Sequence, residues 1–201
     1  MSNKFVLTEY RVFDNSHPEL LTEAEKLEVA NGSVMYLTGV MQRADAENGN
    51  GRVYPMEILE REVENYKKLV KEHRSYGELD HPDSPIVELQ KASHFVTHIE
   101  MKGKEVIGKI KLMDTDTGRN AQGIVRSGGM LSISSRGLGS TTQKNGKTYV
   151  QDDYQLVCFD LVSEPSTAGA YMLKEGKVPS IDNKGDRINR ALNNVLRSWN
   201  K

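Results

Sequence analysis

Gly128-Gly129-Met130-Leu131-Ser132-Ile133-Ser134-Ser135-Arg136-Gly137-Leu138-Gly139-Ser140 is the stretch around which the chain is organised. Two glycines open it, an alternating run carries three serines, and an arginine followed by Gly-x-Gly closes it. In a strand, Met130, Ser132 and Ser134 share one face, and Leu131, Ile133 and Ser135 share the other. The glycines that follow let backbone N–H groups come close to a ligand. Acyl transfer needs that combination, a hydroxyl on a rigid strand beside donors for an oxyanion. The plainer reading is a serine-rich edge strand that ends in a glycine turn.

Composition narrows the setting. With 201 residues the chain makes one domain, or one domain with appendages, and has length enough to bury a core without staples. Its 27 basic and 28 acidic residues leave a net charge of -1, so no global field points to nucleic acid or to an anionic membrane. The single cysteine, Cys158, excludes an intrachain disulfide framework and a Cys-rich zinc site. No apolar run approaches the ~20 residues of a membrane span, and charges interrupt the opening MSNKFVLTEYRVFD. The expectation is a soluble protein working in a reducing cytoplasm.

Outward from the serine stretch, Thr115 or Thr117 is expected to cap a short helix that Gly128-Gly129 stops. Downstream, Lys144 to Lys147 is a hairpin turn, and Tyr154 to Ser163 (YQLVCFDLVS) reads as the most apolar strand and as a central one. Upstream, residues 93–100 and 105–113 form a hairpin around Lys102-Gly103-Lys104. Met56, Leu59, Val63, Tyr66, Leu69 and Val70 predict an amphipathic helix over 55–73, with Pro55 at its start. SVMYLTGVM, residues 33–41, is a strand, residues 1–14 alternate as another, and 19–29 reads as a short helix. Tyr76 to Pro85 reads as a polar, proline-broken loop. Strands outnumber helices and hairpins join them, which predicts an α+β fold, mainly antiparallel β with a few helices.

A serine nucleophile needs a base, and histidine, with a reference pKa of about 6.5, is the usual one. Of the five histidines, His17 lies in a polar segment and His73 in the last turn of a helix, where a cation is welcome anyway. His94 and His98 share a strand face with Val96 between them, which suits a structural role. His81 stands in an irregular loop and is followed by Pro82, which stiffens the chain. Its bland reading is a solvated turn histidine. Asp80, His81 and Asp83 also permit a metal-dependent hydrolase, although ligands so crowded between prolines rarely converge.

GELDHP, LSISSRGLGS and FDLVSEPSTAGA, in that order, resemble the prohead proteases of large tailed bacteriophages. More distantly they resemble the assemblin proteases of herpesviruses. The likeness runs from about Val34 to Ala170 and takes in NGNGRVYP with its following helix. It implies a closed or nearly closed antiparallel β-barrel surrounded by a few helices. It implies serine endoproteolysis inside the prohead in the host cytoplasm, with capsid and scaffolding proteins as substrates. Self-association joins these expectations, with no specific nucleic acid, no membrane, no cofactor and no metal. The other class of reading is a non-catalytic capsid-assembly or scaffold module of the same fold.

By position in those blocks, His81 matches the family's histidine and Ser134 its nucleophile. Ser132 is the reserve on the same face. Herpesvirus enzymes use a second histidine after the serine, and none follows His98 here. An acid must then hold the imidazole in its productive tautomer. Asp160 and Glu164 are candidates; Asp160, inside an apolar strand where an unpaired carboxylate is costly, is preferred. Backbone N–H groups near Arg136 and Gly137 are implied as oxyanion or substrate-binding positions by the assemblins' arginine-bearing segment, with Arg136 holding that turn or a water.

The tail differs in kind. The expectation is a protease domain over 1–173, then a mobile linker and a C-terminal amphipathic helix carrying Ile188, Leu192, Leu196 and Trp199. Phage proteases of this type cut after glutamate with an apolar residue two positions earlier. Leu173-Lys174-Glu175 fits that pattern, with Leu7-Thr8-Glu9 and Leu21-Thr22-Glu23 as rivals at the other end, and the expectation is a tail removed by self-cleavage.

Overall fold

The computed structural model describes residues 5–12, 17–32, 34–82 and 84–163. Among these residues the strands form three sheets. The first is antiparallel, with β1 (Phe5–Val12) and β10 (Gln155–Val162) on either side of β7 (Ser132–Gly139). The second, also antiparallel, runs in the order β2 (Tyr36–Arg43), β6 (Glu105–Leu112), β5 (Ala92–Lys102), β4 (Tyr76–Glu78). In the third, β9 (Lys147–Val150) lies between the short parallel β3 (Arg52–Val53) and the antiparallel β8 (Thr141–Lys144).

This is the expected mixed α+β fold, but its described strands do not hydrogen-bond into one closed barrel. The first two sheets meet through a parallel bridge, Leu79 to Leu161, just beyond β4. The serine stretch is also not an edge. β7 is the middle strand of its sheet, whereas the apolar β10, expected to be central, lies at one side of it. The segment 76–85 holds a strand that sequence alone concealed, because β4 is only three residues long and contains Gly77.

Among the described residues, three α-helices pack against this framework. Thr22 caps α1 (Glu23–Ala30) through a capping box with Glu25. Lys109, a buried cation of β6, donates to both Glu25 carboxylate oxygens at 2.8 and 2.7 Å and fixes α1 to the sheet. The periodicity of 55–73 becomes α2 (Met56–Lys71), which buries Ile58, Leu59, Val63 and Tyr66 against β5 and β10. Tyr66 meets Phe159 of β10 edge to face, with centroids 5.5 Å apart. α3 (Asp116–Arg126) starts at Thr115, whose hydroxyl accepts from Gly118 N–H at 3.1 Å. Gly128 follows its end with φ at +85°, the left-handed geometry a helix stop uses. No helix among the described residues is long and apolar enough to cross a membrane.

Candidate active site

One irregularity in β10 decides which side chains meet. Gln155 and Leu156 pair with Leu138 and Gly137, but Cys158 pairs with Arg136, so Val157 is an extra residue. Past this bulge, Asp160 lies opposite Ser134 and Cys158 opposite Arg136. Without it, Phe159 would oppose Ser134, because a one-residue slip exchanges the two faces of a strand. The result is a split sheet. Ile133, Phe159 and Leu161 join the hydrophobic core, while Ser134, Arg136, Cys158 and Asp160 assemble a polar layer on the opposite face.

The histidine reaches this layer from the second sheet. Beyond β4 the chain attaches to β10, Asp80 N–H donating to Leu161 O at 2.7 Å. Asp80 takes a positive φ of +66°, a conformation aspartate tolerates better than most residues. His81 follows directly and turns over the sheet. Its Nδ1 lies 2.9 Å from Asp160 Oδ2, and its Nε2 is hydrogen-bonded to Ser134 Oγ. A carboxylate can only accept, so Nδ1 carries the proton and Nε2 accepts from the serine hydroxyl. His81, Ser134 and Asp160, chosen from three separate blocks of sequence, are brought into one hydrogen-bonded line.

Asp160 has no solvent exposure. Burial raises the pKa of such a group, but the His81 hydrogen bond, the Arg136 charge and the Glu78 N–H outweigh it and hold the carboxyl below its ordinary value. Oδ1 accepts from Glu78 N–H at 3.0 Å, from Arg136 Nη2 at 3.1 Å and from the Cys158 thiol at 3.3 Å. The residue therefore stands ready to orient and neutralise an imidazolium.

Other expected positions fall differently. Ser132 lies on the same face and is buried, but its register partner is Val162, not the aspartate. The Arg136 side chain, expected to hold the oxyanion turn or a water, is fully buried and bonded to other groups. Nε donates to Cys158 Sγ at 3.2 Å, Nη1 donates to Ser84 O, and Nη2 donates to Asp160. Gly137 is closely packed: a Cβ there would stand 2.5 Å from the Tyr154 ring and 2.6 Å from Gln155 O. Glu164, Asp83 and the tail with Glu175 lie outside the described residues. Among the described residues no group of three or more His, Cys, Asp or Glu could hold a metal ion.

Three further residues pack around this line, of which His94, expected to be structural, is the one the sequence had singled out. His94 is fully buried behind it, Nε2–H donating to Phe159 O at 3.0 Å and Nδ1 accepting from Ser93 Oγ at 2.9 Å. Gly77 lies so close that a Cβ would come within 1.9 Å of Phe159 O and 2.4 Å of His94 Nε2. Glu78, in the segment expected to be a polar, proline-broken loop, is fully buried beside Arg136. Only alternation within GELDHP hinted at it, and a three-residue strand gives that signal little length.

A hydroxyl, an imidazole and a buried carboxylate in this order are the arrangement that serine hydrolases of the Ser-His-Asp type use. The comparisons sharpen the class: the chain belongs to the prohead core protein serine protease family, whose profile matches residues 17–180. It is 30% identical over 172 residues to the prohead core protein protease of Enterobacteria phage T4, covering 81% of each chain. Its fold is similar to the solved structure of the bacteriophage T4 capsid assembly protease, with a TM-score of 0.68 and 24% identity. That match covers 81% of this chain and 99% of the other.

Proposed function

We propose that this serine protease matures phage heads, cleaving scaffolding and capsid proteins inside the prohead with Ser134 as nucleophile, His81 as base and Asp160 as the acid that orients it. The single observation that carries the reading is the continuous line from Ser134 Oγ through His81 to Asp160 Oδ2. As a peptide carbonyl approaches, Ser134 Oγ attacks its carbon while His81 Nε2 takes the hydroxyl proton. The imidazolium that forms is held by Asp160, and it returns the proton to the leaving amine. Water then repeats the sequence on the acyl-enzyme, with His81 again as the base.

The resemblance adds cleavage after glutamate with an apolar residue two positions earlier, and self-cleavage at Glu175. Self-association and a location within the prohead in the host cytoplasm belong to the same proposal. Coexpression with the cognate scaffold and capsid proteins tests it. Wild type should shorten both, and Ser134→Ala should leave both at full length. Processing by Ser134→Ala would overturn the reading and favour a non-catalytic module beside another protease.

A further inference from the structure

We propose that Arg136 and Glu78 form a buried charge pair that positions the triad's carboxylate and sets how readily its histidine holds a proton. This rests on the catalytic reading above and assigns Arg136 a positioning role in place of oxyanion binding. Arg136 is joined to the triad at both ends. It reaches each oxygen of Asp160, Nη2 at 3.1 Å from Oδ1 and Nε at 2.9 Å from Oδ2. Its Nη1 also holds the carbonyl of Ser84, three residues past His81. One rigid guanidinium thus braces the acid and the segment that carries the base.

Glu78 completes the device. It donates its backbone N–H to Asp160 Oδ1, and its Oε1 accepts from Glu88 N–H, tying down the same segment further on. Its Oε2 is buried without a hydrogen bond, and its compensation is Arg136 Nη2 at 3.5 Å. An unpaired buried carboxylate is expensive, so this geometry makes Glu78 dependent on the arginine. With both carboxylates ionised, one guanidinium faces two negative charges, and the layer keeps one net negative charge beneath His81. Imidazolium formation cancels it. The other titratable groups facing Asp160 are the Cys158 thiol and the Tyr66 phenol, both pushed up by burial, and His94, pushed down to about 4 by burial.

Asp160 and His81 share one hydrogen-bonded proton. Removing the guanidinium makes the layer more negative and tightens that proton, so the active state, with ionised acid and neutral base, needs a higher pH. Removing the Glu78 charge does the reverse.

The test is the pH dependence of Ser134 labelling by a peptidyl diphenyl phosphonate, with attachment mapped by mass spectrometry. In Arg136→Met the acid limb should move up by about one pH unit and the plateau fall at least about tenfold. Arg136→Lys keeps the charge but loses the fork, so its limb should stay while its plateau falls. Glu78→Gln, which retains an acceptor for Glu88, should move the limb down. A merely structural role would lower plateaus and shift no limb. An unmoved limb in labelled Arg136→Met or Glu78→Gln, or shifts of the same sign in both, overturns the assignment. If Arg136→Met does not fold, the opposed behaviour of Arg136→Lys and Glu78→Gln decides. Absence of Ser134 labelling in wild type would instead sink the catalytic reading on which this rests.

Discussion

His81 Nδ1 stands 2.9 Å from Asp160 Oδ2, and that one contact fixes which imidazole nitrogen faces Ser134. Because the carboxylate only accepts, Nε2 is left as the acceptor for the serine proton. The contact joins two sheets, since His81 follows β4 and Asp160 belongs to β10.

The first prediction concerns the unit this line forms. Ser134→Ala and His81→Ala should each lower proteolysis by about 10⁴-fold or more, and the double variant should be scarcely worse than either. Asp160→Asn should cost about 10⁴-fold in kcat by releasing the tautomer. Ser132→Ala should retain activity within a small factor. Cleavage of a quenched fluorogenic peptide measures all of them, and strictly multiplicative losses would show that the residues do not act together.

Gly77 should be among the positions least tolerant of change. A methyl group there meets the Phe159 carbonyl at 1.9 Å and the His94 ring at 2.4 Å, and the carbonyl belongs to a paired strand that cannot step aside. Gly77→Ala should lose about 3 kcal/mol, the upper range for overpacking, in urea unfolding. A variant as stable as wild type would show that β4 and β10 are less closely apposed.

His94 makes stability pH-dependent. Burial holds it neutral down to about pH 4, against an ordinary value of 6.5. Above pH 6.5 neither folded nor unfolded chain protonates it. Between 6.5 and about 4 the unfolded chain takes up the proton and the folded chain does not, so stability falls as pH falls, by roughly 3 kcal/mol over the window. Asp160, whose pKa is lowered on folding, adds a further loss below 3.8. Urea midpoints at pH 7, 6, 5 and 4 should show a shallower slope in His94→Gln, and identical slopes would remove His94 from the titration.

Leu59 of α2 tests the helix that supports β10 from below. It has no exposure, and Leu59→Ala should cost about 2–5 kcal/mol. A loss under about 1 kcal/mol in chemical denaturation would mean that α2 is not packed as described.

Much of this was legible in residue pattern. The 3.6-residue spacing from Met56 to Val70 is long enough to identify α2, and the Lys102–Lys104 turn marks the β5–β6 hairpin. His81, Ser134 and Asp160 were reached through three blocks of resemblance joined to an argument about buried carboxylates. The bulge at Val157 was not legible, because an inserted residue leaves alternation in place and only changes what it faces. β4 is too short to show a period. Arg136 was placed near an oxyanion only by resemblance to the assemblins' arginine-bearing segment; three-dimensional pairing with Asp160 and Glu78 buries its side chain. Closure into a barrel could not be read from strand count, since pairing between distant strands leaves no local mark.

The most direct measurement on the catalytic assignment is the site of modification by a serine-reactive phosphonate on the full chain, read by peptide mass mapping. Expected is a single adduct on Ser134, lost in Ser134→Ala and slowed by orders of magnitude in His81→Ala. An adduct on Ser132, or undiminished labelling and proteolysis in Ser134→Ala, would contradict it.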